Sequence, residues 1–199
     1  MLANHPDRLV VVELHQDDTP SCPESVARAM FYGTTNSPTV IFDGDVRPET
    51  TGFESIYGTY AAKPMPLYIG ISVTKAGNNF DLTATVTRDG DVPASGLRIY
   101  CAVTETFEYS GRTLYNVMRD MYPAGGEDFT INDGQTKTVD FNGTLDGSWD
   151  VNNLEWVVWV QKPDSGNPSL QVVYGVNKAA GTAIGIEPTS LGRIKASFN

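Results

Sequence analysis

The sequence has little of what catalytic or cross-linked proteins usually need. Its 199 residues hold two Cys and two His. Two Cys are too few for a disulfide framework or a structural zinc site. Two His leave no Ser-His-Asp order to single out. His15, Asp17, Asp18 and Cys22 are metal-ligand types, but their spacing fits no strong zinc pattern. There is no Gly-rich phosphate loop. No apolar run approaches the roughly 18 residues of a transmembrane helix. Positive charge is also scarce: 14 Lys and Arg stand against 24 Asp and Glu, for a net charge of −10. That excludes nucleic acid and an anionic membrane surface as main partners. No cofactor is called for, and no enzyme class is suggested. The opening MLANHPDRLVVVELHQDD lacks the apolar stretch of a signal peptide. It reads as the last turn of a helix, a turn at His5-Pro6-Asp7, then a strand, as if the start were internal to a longer protein.

What is present falls into two patterns. Residues 1–63 mix helix and strand. Residues 64–176 read as strand after strand, and 177–199 as a small, polar tail. Pro64 and Pro66 stiffen the join. In the first part, Leu9 to Leu14 is a near-continuous apolar run, suited to a strand covered on both faces. Ser21 to Gly33 reads as a helix, with a Ser21–Glu24 capping box and Gly33 as the stop. Val40 to Phe42 reads as a strand and Asp43-Gly44 as a hairpin turn. Thr51 to Ala62 has Phe53, Ile56, Tyr57 and Tyr60 at helical spacing.

The second part alternates with period two. Leu67, Ile69, Ile71 and Val73 share one face; Phe80, Leu82, Ala84 and Val86 form the next inward set. Leu97, Ile99, Cys101 and Val103 follow, then Val139 with Phe141, then Leu154, Trp156, Val158 and Val160. Leu170, Val172 and Tyr174 form the last. Gly-containing turns separate them, among them Ala76-Gly77, Asp89-Gly90 and Asp133-Gly134. This predicts a mainly β chain: an immunoglobulin-like β-sandwich preceded by a smaller α/β unit. Residues 105–126 break the alternation and are expected to form a long projecting connection, with a helical turn over Leu114 to Met121.

The residues RLVVVELHQDD, CPESVARAMFYGTTNSPTVIFDG and RDMYPAGGE resemble the Omp28-related bacterial outer-membrane proteins. The resemblance implies a partial thioredoxin-like unit joined to a β-sandwich, and makes Pro38 a cis-proline candidate. It also implies an envelope or extracellular location. The thioredoxin dithiol does not carry over, because Cys22 has no partner two residues on. In a complete thioredoxin sheet, another strand lies between Leu9–Leu14 and Thr39–Phe42. Without it, three remedies are expected: a homo-oligomer that fills the gap, direct pairing of the two strands, or a separate N-terminal piece.

Several residues stand out as candidate contacts. Tyr109, Tyr115 and Tyr122 offer rigid amphipathic area, with Arg119 and Asp120 to orient the segment. Trp159 sits at the parity opposite to Trp156, so one of them faces away from the sandwich core. Asp146, Asp150 and Asn152 are weak calcium candidates, and turn chemistry alone accounts for them. Cys22 lies at a helix start, which favours a thiolate, or is a half-buried cap. Cys101 reads as a small core hydrophobe, not bonded to Cys22. The reading is a non-enzymatic cell-envelope or secreted protein for adhesion, assembly or ligand binding, acting with its own copies or another envelope protein. The alternatives are a thiol-disulfide redox protein with its dithiol elsewhere, and a filament or surface-layer subunit.

Overall fold

The computed structural model describes residues 9–34, 39–47, 51–93, 95–163 and 172–181. Pro38 and Leu170 lie outside them. The chain is mainly β. Helix α1 covers Pro23–Phe31, strands β1 and β2 cover Val40–Phe42 and Asp45–Arg47, and helix α2 covers Phe53–Ala61. Eight strands follow: β3 Leu67–Ala76, β4 Asn79–Arg88, β5 Leu97–Tyr109, β6 Arg112–Met121, β7 Glu127–Phe129, β8 Thr136–Thr144, β9 Leu154–Gln161 and β10 Val173–Ala180. One sheet has the order β10-β9-β5-β6, with β7 also paired to β5; the other has the order β3-β4-β8. All these pairings are antiparallel.

The alternating sets up to Val160 meet between the two sheets as expected; Val172 of the last set does not, being 44% exposed just ahead of β10. Ile69, Leu82, Val86, Ile99, Val103, Trp156 and Val160 are buried in one cluster, joined by Phe141 of β8. The sheets close on one another at β10 and β3. There Asn177 donates through Nδ2 to the carbonyl oxygen of Ile69 at 2.6 Å. Gly175 permits this approach: a Cβ added to it would stand 2.5 Å from the oxygen of Leu67. Backbone cannot retreat as a side chain does, so Gly175→Ala is expected to cost about 1–3 kcal/mol of unfolding free energy by denaturant titration. An unchanged midpoint would contradict this packing.

Several sequence expectations are corrected. Residues 105–126 are not a long connection with a helical turn. Ser110 and Gly111 take φ of 50° and 77°, the two positive values that a tight hairpin turn demands. So β5 runs directly into β6, pairing Tyr109 with Arg112. Secondly, Leu9 to Leu14 is not a sheet strand. Its ladder is reduced to one bridge, in which Glu13 donates to the Asn116 oxygen and accepts from the Met118 N–H, both at 2.9 Å. It does not pair with β1, so the remedy of direct pairing is not the one adopted. Thirdly, the capping box of α1 sits one residue later than expected. Ser21 spends its N–H on Asp18, and Cys22 becomes the cap, exchanging bonds with Ser25. β10 also continues through 177–180, residues expected to open the tail.

The Asp43-Gly44 turn forms as expected, with φ of 49° and 91°. It joins β1 to β2, and its Asp43 oxygen accepts from the Val173 N–H at the start of β10. Phe42 packs with Tyr57 and Tyr60 of α2, and Leu9 covers them. The cis peptide among the described residues is Tyr122-Pro123.

Candidate functional site

The larger sheet is apolar on both faces. On β5 and β9, Ile99, Cys101, Trp156 and Val158 face the sandwich, while Tyr100, Ala102, Val157 and Trp159 face outward. An outward apolar face needs a cover. The cover is Val10, Val12 and Leu14, with Cys22 of the α1 cap. Trp159 is therefore only 7% exposed, packed in one cluster with Met118 and Met121 of β6. Tyr100 and Trp159 are opposite one another in the β5–β9 register. Their rings stack at 5.0 Å and 14°.

Arg28 of α1 is inserted here. It is only 5% exposed. Its guanidinium lies over the rings of Phe31, Tyr32, Tyr100 and Trp159 at 4.4, 4.8, 4.7 and 5.4 Å. Phe31 and Tyr32 lie three and four positions on, the spacing at which helical side chains meet. Nη2 donates to the Tyr32 hydroxyl at 2.6 Å and to Gln161 Oε1 at 2.7 Å. Trp159 donates through Nε1 to the same Gln161 oxygen at 3.3 Å. Gln161 is fully buried. Burial pushes the Tyr100 hydroxyl pKa up, although the neighbouring Arg28 charge draws it down. No carboxylate among the described residues forms an ion pair with Arg28.

Beside this cluster lies an open crevice of about 160 Å³. Val10, Val12 and Leu14 form one wall and the hairpin residues Ile41, Asp43 and Gly44 another. Met118, Val157, Trp159, Val173 and Val176 of the sheet, with Arg28 and Tyr32, complete the lining. The arrangement pairs apolar walls with one buried cation, which suits reversible binding. Among the described residues no group of acids, His and Cys is placed to hold a metal.

Of the residues singled out in the sequence, Trp159 alone lines this crevice. Tyr109 and Tyr115 are 37% and 57% exposed at the β5–β6 hairpin. Arg119 pairs with the buried Glu105 at 3.5 Å and lies over Phe107 and Trp149. Asp120 accepts from the Met121 N–H. Tyr122 donates to the Thr144 oxygen, and its ring packs edge-on against Phe80. Asp146 accepts from the Ser148 N–H, and this bond holds its carboxyl below the usual range. Asp150 accepts from Asn152 and Asn153, capping a short 3-10 turn. These last residues are occupied by turn bonding.

Cys22 and Cys101 are free. The helix start favours a thiolate at Cys22, but burial outweighs it and the thiol pKa is raised. Burial raises that of Cys101 as well. Two thiols are expected on denatured protein without reductant. In the folded protein Cys101, which is 0% exposed, should resist alkylation at neutral pH. Finding no thiol in a monomeric chain would contradict the placement of both.

Arg28 and Gln161 escaped the sequence reading. A single Arg in a short helix ordinarily faces water, and a Gln at a strand end ordinarily marks solvent. The only signal was the outward parity of Tyr100 and Trp159, which shows a covered face but not what covers it.

No family model matches the chain, and no curated protein matches it by sequence. Solved structures do. HBP35 of Porphyromonas gingivalis superposes with a TM-score of 0.70 at 15% identity, over 89% of this chain and 64% of that one. A domain of the outer membrane lipoprotein Omp28 from Porphyromonas gingivalis gives a TM-score of 0.42 at 14% identity, over 57% of this chain and 86% of that chain. This chain thus shares the fold of HBP35 and spans less than two thirds of its length. Among the described residues no helix is long and apolar enough to cross a membrane.

Proposed function

We propose that this chain is a non-enzymatic binding protein of the cell envelope or its surroundings, and that the crevice beside Arg28 is where it binds a small apolar ligand. The carrying observation is a solvent-open crevice with apolar walls and a preformed aromatic floor at Tyr100 and Trp159. Such concave apolar sites with a few placed polar groups are the usual form of a ligand site. The envelope setting rests on the resemblance to Omp28-related sequences and on the acidic charge. The test follows the indole N–H resonance of Trp159 during titration with benzyl alcohol. A saturable shift is expected, lost in Val176→Phe, which fills the crevice. No shift in the unsubstituted protein would contradict this reading.

Self-association is a second reading with its own support. β1 pairs only with β2 among the described strands, and Leu9 to Leu14 uses one bridge. Open edges of this kind recruit further chains. The exposed Tyr109 and Tyr115 add contact area. Light scattering at micromolar concentration should give a multiple of the 21.6 kDa chain mass. The chain mass itself, unchanged with concentration, would contradict it.

A further inference from the structure

The crevice has an electrostatic asymmetry beyond its apolar character. Arg28 brings one full positive charge into the site, and only 5% of the residue is exposed. Burying a charge without an opposite partner is costly. The four rings and two neutral acceptors soften that cost, but none of them carries a negative charge. Its hydrogen bonds to Tyr32 and Gln161 leave from Nη2, and its side chain also bonds that of Tyr100, another neutral group. Arg28 lines the crevice, and no carboxylate among the described residues pairs with it, so its charge faces a ligand there.

We infer that the crevice selects small organic monocarboxylates with an apolar body. The carboxylate would accept from the Arg28 guanidinium, and the body would lie against Val157, Trp159 and Val176. Charge-assisted bonds to a guanidinium are roughly twice as strong as neutral ones, and stronger where water is thin. A single negative charge fits best. Among the described residues the lining offers one guanidinium and no lysine, a donor set too small for a phosphate.

The inference rests on the binding reading above, and the test separates the two. Benzoate and its neutral counterpart benzyl alcohol are titrated into the full chain, with the Trp159 indole resonance and calorimetry as readouts. Benzoate is expected to bind about tenfold or more tightly. Arg28→Met, which keeps the apolar stem, is expected to erase that preference, with benzoate binding no more tightly than benzyl alcohol. Equal affinity of the two probes for the unsubstituted protein would overturn the carboxylate inference and leave the binding reading standing. Failure of both probes to bind would overturn both. If Arg28→Met does not fold, the comparison of charged and neutral probes on the unsubstituted protein still decides the matter.

Discussion

Replacing Trp156 with alanine is expected to remove about 3–5 kcal/mol of unfolding free energy, the range for deleting a fully buried large aromatic. Trp156 is 0% exposed and stands where the two sheets meet, its ring 4.3 Å from that of Phe80 on the facing sheet. Alanine leaves a void that Leu154 and Val158 cannot fill, because neighbouring strands fix both. Phenylalanine at this position should cost much less. The indole Nε1 is buried with no partner among the described residues, and an unpaired buried donor costs about 1–3 kcal/mol. Phe removes that donor while keeping most of the ring. Denaturant titrations of both variants measure the difference. Equal losses for Ala and Phe would show that the volume of the ring is not what holds the sheets together.

Replacing Arg28 with alanine is expected to cost about 3 kcal/mol and to act locally. A desolvated cation–π contact contributes about 2 kcal/mol, and a hydrogen bond from a charged donor about 1.5–3 kcal/mol. These terms share one guanidinium and do not add in full. The loss also removes one donor to the fully buried Gln161 Oε1, which keeps Trp159 Nε1 and the Tyr32 hydroxyl. Amide exchange should therefore quicken in α1 and around Glu13, whose bridge holds the N-terminal segment on β6. The central strands β5 and β9 should keep their protection. Lysine restores the charge but not the plane that stacks on Tyr100 and Trp159, so rescue should be incomplete. Uniform loss of protection across both sheets would show that Arg28 supports the whole sandwich and not the docked unit alone.

The sandwich was legible because its signal is a simple parity. On β4 Phe80, Leu82, Ala84 and Val86 alternate with Asp81, Thr83, Thr85 and Thr87, so the inward face follows from the sequence. The turn at Asp43-Gly44 was legible for a similar reason: few residues tolerate positive φ twice in succession. β6 was not legible. Its apolar residues are interrupted by Asn116 and Arg119, which find partners in Thr106 and Glu105 that only the folded hairpin supplies. Leu9 to Leu14 misled because apolar runs read alike whether they pair in a sheet or cover one. The candidate site was half legible. The outward parity of Trp159 was correct, but its partner Arg28 lies far off in sequence, on a helix whose orientation no local pattern encodes.

The central claim is that Arg28 is inserted between the outer sheet face and α1, over the Tyr100–Trp159 pair. The nitrogen and proton shifts of its Nε–H group test this directly, since a guanidinium over aromatic faces is shielded by their ring currents. The account predicts a single arginine Nε–H resonance far upfield of the others, which returns toward them in Trp159→Leu. An Arg28 resonance that coincides with those of exposed arginines, and does not move in that variant, would contradict the site.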